Sequence, residues 1–168
     1  MATQHRHRPD RQRGFVGFVV GEVAYAVPIG NVREIVNPAP LTELPYAPPS
    51  VAGVLDHRGE VVPIVDLRAR FGLSPSPASR RTKWILIEVE ARSVGLIVDR
   101  VTGVFGVSGE LRSPPTLGLG DETRGIVGVA PLAGGMVFVL DVGRFDVLTH
   151  SLRPAVLLAG QSRFGGES

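Results

Sequence analysis

Asp66, Asp99 and Asp141 each come directly after a run of Ile, Val and Leu, where a strand would hand a carboxylate to a loop. Two such carboxylates converging in one cleft could divide acid and base work between them. Their placement argues otherwise, because Asp66 and Asp141 occupy matching positions in two similar stretches and each precedes a short apolar segment of its own. A pair of helical N-caps is the simpler account, each worth about 0.5–2 kcal/mol to the turn it starts. No serine lies in a nucleophile-elbow pattern, and no glycine-rich loop is followed by the Lys-Ser/Thr of a nucleotide site. His57 and His150 stand alone and read as solvated residues, and the His-x-His of His5 and His7 lacks a third metal ligand. The absence of cysteine from the 168 residues excludes disulfides, thiolate zinc sites and cysteine nucleophiles. These residues predict no catalytic group, metal or cofactor.

What remains is a surface. Val32, Glu34 and Ile35 place a carboxylate among apolar residues on a short segment. Arg58 sits at the tip of a tight turn, where a guanidinium can fork onto a partner's carboxylate or carbonyls. Core packing is the competing account of Val32 and Ile35, and a solvated turn charge that of Arg58.

The elements that would position these residues are legible in part. Val51 to Leu55 and Val61 to Val65 are β-rich runs flanking Asp56-His57-Arg58-Gly59, a hairpin in which Gly59 can take the positive φ that closes the turn. Asp66, Leu67 to Phe71 and Gly72 then predict a cap, one or two helical turns and a stop. Phe15 to Val20 and Val23 to Ile29 form an earlier hairpin around Gly21-Glu22. The apolar spacing of Val32, Ile35 and Val36 suits a short amphipathic helix or a twisted edge strand, and periodicity does not choose between them. Five prolines between Asn37 and Ser50 predict an extended connection. Ser74 to Thr82 reads as a loop. Beyond it come strands at Lys83 to Val89 and Val94 to Val98, a long Pro/Gly-rich connection through Gly118 to Gly125, and a final hairpin of Ile126 to Ala130 and Met136 to Leu140.

The order repeats. At an offset of 69 residues Val20 falls on Val89, Ala26 on Gly95 and Val32 on Val101; at 75, Gly53-Val54 falls on Gly128-Val129 and Asp66 on Asp141. The scaffold is copied and Arg58 is not, since Leu132-Ala133-Gly134 stands where the first half has His57-Arg58-Gly59. Four or five short strands per half predict two small β-barrels packed together, with halves at about 14–73 and 83–150 and tails at 1–13 and 151–168.

Charge is unevenly spread. Of 18 Lys and Arg against 16 Asp and Glu, four arginines and one aspartate lie in residues 1–13, leaving the body near neutral. That tail reads as a disordered solubilising segment. A nucleic-acid binder would place a basic patch with aromatics on the folded part, so nucleic acid is a distant alternative partner. No apolar stretch suits a signal peptide or a membrane span, which predicts a soluble cytoplasmic protein without membrane insertion.

Gly53-Val54-x-x-x-Arg58-Gly59-x-Val61-x-Pro63-Ile64-Val65-Asp66-Leu67-Arg68 resembles the signature of the CheW family of chemotaxis coupling proteins. Further matches are Val32-x-Glu34-Ile35, Gly95-Leu96-x-Val98-Asp99-x-Val101, Pro114-Pro115 and Ile126-x-Gly128-Val129. The resemblance covers about residues 15–145. It implies an all-β fold of two SH3-like five-stranded β-barrel subdomains around a shared apolar interface. It also implies a non-enzymatic adaptor, cytoplasmic at membrane-associated receptor arrays, that binds the cytoplasmic tip of chemoreceptors and the regulatory domain of a CheA-type histidine kinase. Val32, Glu34, Ile35, Arg58 and Gly59, with Val98 and Val101 in the second half, would then be partner contacts. Asp56-His57 departs from the Asn and apolar residue usual before Arg-Gly. A coupling protein of a pilus or biofilm system is the alternative within the same family.

Overall fold

Runs rich in Val, Ile and Phe separated by Gly-containing turns become ten strands in the computed structural model. The structure describes residues 13–114, 125–132, 134–143 and 145. The predicted 1–13 and 151–168 tails, His150, and the glycine-rich connection after Pro114 fall outside these apart from Arg13 and Gly125. In order the strands are β1 (Arg13–Val20), β2 (Val23–Pro28), β3 (Val32–Val36), β4 (Val51–His57) and β5 (Glu60–Asp66), followed by the helical turn α1 (Leu67–Arg70). Then come β6 (Lys83–Val89), β7 (Arg92–Val98), β8 (Arg100–Val107), β9 (Ile126–Leu132) and β10 (Gly135–Leu140). Residues 32–36, open between helix and strand on periodicity, are a strand.

Two five-stranded sheets result, ordered β8-β1-β2-β10-β9 and β3-β6-β7-β5-β4. They are the same sheet twice. Replacing β1 to β5 by β6 to β10, and the reverse, converts one order into the other. Each half of the sequence repeat lends strands to both sheets: β1 and β2 pair with β8 and β10, while β3, β4 and β5 share a sheet with β6 and β7. In chain order the second sheet is one uninterrupted stretch, from β3 to β7, set between the two parts of the first. The parallel register carries the offsets found in sequence, since Ala26 faces Val139 as Gly95 faces Ile64.

Alternation along single strands explains the nearly continuous apolar runs. On β6, Trp84 and Leu86 point into a cluster with Leu55, Val62 and Ile64 that the second sheet encloses. Ile85, Ile87 and Val89 point the other way, into a core shared with Val16, Phe18, Val20, Tyr25 and Val27 of the first sheet. Ala26, Ala130, Val137 and Val139, with Phe15 and Phe105, fill the first sheet's own interior. Strands buried on both faces need no polar side. Tyr25 stacks on Phe71 at 4.8 Å, carrying the shared core onto the segment after α1.

Asp66 caps α1 as expected, its Oδ1 accepting from Arg68 N at 2.9 Å and Ala69 N at 3.5 Å. Asp141 repeats the device, accepting from Gly143 N at 3.0 Å. Asp99 does something else. Its Oδ2 accepts from Gly21 N in the β1–β2 turn at 2.7 Å, and both its oxygens accept from Arg68.

Candidate functional site

The β4–β5 hairpin closes on two residues, Arg58 at φ 54° and Gly59 at φ 83°, flanked by the His57–Glu60 pair. Positive φ at both central positions is the type I′ turn whose twist suits a hairpin. Gly59 takes this conformation freely, whereas an arginine there is unusual and carries a penalty of about 1–2 kcal/mol. The turn lifts the Arg58 side chain into solvent, leaving it 77% exposed.

Glu34 reaches the turn from β3. The register of β3 on β6 slips between Val32 and Glu34, leaving Arg33 as an extra residue. Such a bulge turns successive side chains toward the same side, and Arg33 and Glu34 both engage the β4–β5 hairpin. Glu34 Oε1 accepts from Arg58 Nη2 at 3.3 Å, and its Oε2 lies 2.9 Å from His57 Nε2. Arg33 Nη1 donates to Glu60 Oε2 at 3.0 Å and to Ser93 Oγ. Bonds from Ser93 and Arg33 hold the Glu60 carboxyl below its usual range. Ser93 is the one buried polar residue among those described. The result is a charged cleft of Arg33, Glu34, His57, Arg58 and Glu60 floored by Val62 and Leu86.

The expected contact residues divide. Glu34, Arg58 and Gly59 gather at the hairpin tip, and Ile35 stands 41% exposed on the next position of β3. Val32 and Val101 are partly buried against the shared core and show only an edge. Val98 is corrected: it is 0% exposed between the sheets and has no surface to offer a partner. It ends a doubly buried strand, so its apolar character serves packing. His57 is corrected too, from solvated residue to Glu34 neighbour. Arg33, Glu60 and Ser93 carried no sequence signal of grouping, since only the fold brings positions 33, 60 and 93 together. Val61, exposed on β5 one place beyond Glu60, adds an apolar residue to the hairpin. Among the described residues no group of His, Cys, Asp and Glu has the arrangement of a metal site.

Two fused β-barrels presenting a charged hairpin tip define an all-β scaffold. A model of the CheW-like domain matches residues 14–146, and the chain belongs to that family. The Chemotaxis protein CheW of Rhizobium meliloti is 34% identical over 143 residues, spanning 84% of this chain and 92% of the relative. That of Helicobacter pylori is 31% identical over 128 residues, 76% of this chain and 78% of the relative. The crystal structure of the scaffolding protein TtCheW from Thermoanaerobacter tengcongensis matches with a TM-score of 0.72 at 28% identity, covering 78% of this chain and 90% of that one. Membership makes this protein a scaffolding adaptor of the chemotaxis kind.

Proposed function

We propose that the protein couples the cytoplasmic tip of a chemoreceptor to the regulatory domain of a CheA-type histidine kinase, acting by contact alone. The observation that carries this reading is the Glu34–Arg58 contact at an exposed two-residue turn, with Ile35 and Val61 exposed on the two strands, β3 and β5, that adjoin the contact in the chain. Such a tip offers a partner one charge-assisted anchor with an apolar surround. Val32 and Gly59, next to Arg33 and Arg58 in the chain, belong to the same contact reading, and Val101 on β8 is a second-half contact apart from the tip; buried Val98 is left out. Adaptor and kinase held in one geometry let a receptor state bias the kinase through differential contact energy. No helix among the described residues is long and apolar enough to cross a membrane, in keeping with attachment through receptors at cytoplasmic arrays.

The test is Arg58→Glu, with folding checked by circular dichroism and binding to purified receptor tip and kinase regulatory domain measured by calorimetry. Affinity for at least one partner should fall tenfold or more. Unchanged affinity for both removes Arg58 from the contact surface. A second reading, coupling in a non-motility chemosensory system, draws on Protein FrzA of Myxococcus xanthus, 31% identical over 127 residues. Which receptors the chain captures from its own cell decides between the two.

A further inference from the structure

Four cations drawn from three segments meet around one cleft. Arg80 and Arg81 lie in the loop between the repeat halves, Lys83 opens β6 and Arg100 opens β8; with Val101 they line an open cleft of about 380 Å³. Among the described residues no carboxylate lines it. Elsewhere in the near-neutral body Arg33 pairs with Glu60, Arg58 with Glu34 and Arg68 with Asp99. Among the described residues the guanidinium groups of Arg80, Arg81 and Arg100 have no ion-pair or hydrogen-bond partner.

The loop is built to hold them. Ser79 N donates to Thr82 Oγ1 at 2.9 Å, Arg81 N donates to Ser79 Oγ at 3.1 Å, and Thr82 N donates to Ser79 O at 3.2 Å. Lys83 Nζ donates to Asn37 Oδ1 at 2.6 Å and to Arg80 O at 3.4 Å, which fastens the ammonium to both the loop and the segment after β3. Gathering four like charges in one place raises their mutual repulsion, which an incoming anion relieves.

We propose that this cleft docks a short acidic segment of a partner protein, its carboxylates forked by Arg80, Arg81 and Arg100 and steered by Lys83. Carboxylates suit planar guanidinium groups that approach from two segments, Arg80 and Arg81 from the loop and Arg100 from β8. A nucleic acid would call for aromatic stacking and a longer basic track, and among the described residues the lining has no aromatic side chain. A compact phosphate would call for a cradle of backbone N–H groups or a helix start, and neither Lys83 nor Arg100 opens a helix.

The proposal is separate from the hairpin-tip reading, and its test keeps the two apart. A fluorescein-labelled peptide of eight glutamates is titrated by anisotropy at low salt with the full chain, Arg58→Glu, and the double variant Arg81→Glu/Arg100→Glu. Arg81→Gln/Arg100→Gln replaces the last if it fails to fold by circular dichroism. The peptide should bind the full chain and Arg58→Glu equally, weaken tenfold or more with the double variant, and weaken as salt rises. Absence of binding to the full chain overturns the proposal. So does binding that survives the double variant, which would place the anion on the basic residues 1–13. Tenfold tighter binding of a labelled DNA octamer, or full displacement of the peptide by millimolar inorganic phosphate, overturns the choice of an acidic peptide.

Discussion

Arg68 grips both oxygens of Asp99, its Nε 2.9 Å from Oδ1 and its Nη2 2.8 Å from Oδ2. The pair joins the turn after β5, in the second sheet, to the point where the chain crosses back into the first. Gly21 N adds a third donor from the β1–β2 turn. Arg68→Ala leaves a partly buried carboxylate short of its partner and should cost about 1–3 kcal/mol, read as a lowered urea midpoint. A midpoint equal to wild type would show that the junction draws nothing from the pair.

The same junction sets a pH dependence. Burial pushes the Asp99 carboxyl up, and the Arg68 bonds, the Gly21 N–H and the Arg68 charge pull it down further, so it lies below the usual aspartate value. A depressed acid stabilises the fold fully above the unfolded-state value of about 3.9, and that contribution disappears as pH falls through the folded-state value. The stability gap between wild type and Asp99→Asn should therefore be widest near pH 5–7 and close toward pH 3. Urea titrations at several pH values measure it, and a gap that widens on acidification contradicts the assignment.

At the hairpin tip, stability and contact should trade against each other. Arg58 holds a left-handed conformation that Asn and Gly adopt more readily, and its exposed bond to Glu34 is worth little. Arg58→Asn is expected to stabilise the fold by about 0.5–1 kcal/mol while weakening the partner interaction. Parallel melting and binding measurements check both signs.

Gly53 and Gly128 occupy equivalent places where the incoming connection crosses the strand. A Cβ at Gly53 would lie 2.6 Å from Thr42 O, and one at Gly128 would lie 2.7 Å from Leu111 Cβ. Both neighbours belong to bridges, Thr42 with Val54 and Arg112, next to Leu111, with Val129. Either glycine replaced by alanine should lose about 1–3 kcal/mol, with Gly53→Ala the worse because a backbone oxygen has nowhere to move. Chemical denaturation ranks the two.

Strand identity was legible because β-branched runs and turn residues alternate at short range, and the repeat was legible because offsets of 69 and 75 survive in the pairing of Ala26 with Val139 and Gly95 with Ile64. Residues 32–36 were ambiguous for a physical reason: the bulge at Arg33 breaks the two-residue period by which a strand is read. Which hairpin joins which sheet was not legible, since β1 and β8 lie about 80 residues apart and no spacing rule spans that separation. The site divides along the same line. Arg58 and Glu34 stood out through turn chemistry and the family motif, whereas Arg33, Glu60 and Ser93, like Arg100 beside the Arg80–Lys83 stretch, become neighbours only after folding. The family resemblance implies a contact at Val98, and its complete burial at the end of β7 puts it in the core instead.

The order of the strands along the chain has a consequence for synthesis. The second sheet is complete once Val98 has left the ribosome, but the first cannot close until Leu140 has followed. At roughly 5–20 residues per second, the hairpin of β1 and β2 waits roughly 6–20 s after its own completion for β8 and β10. Until β8 emerges within that interval, Phe15, Phe18 and Tyr25, all buried in the finished protein, have no sheet of their own to enter, and both edges of the hairpin are open to foreign strands. The nascent second sheet, whose β6 face accepts Phe18 and Tyr25 in the shared core, is the first surface on which they can be sheltered.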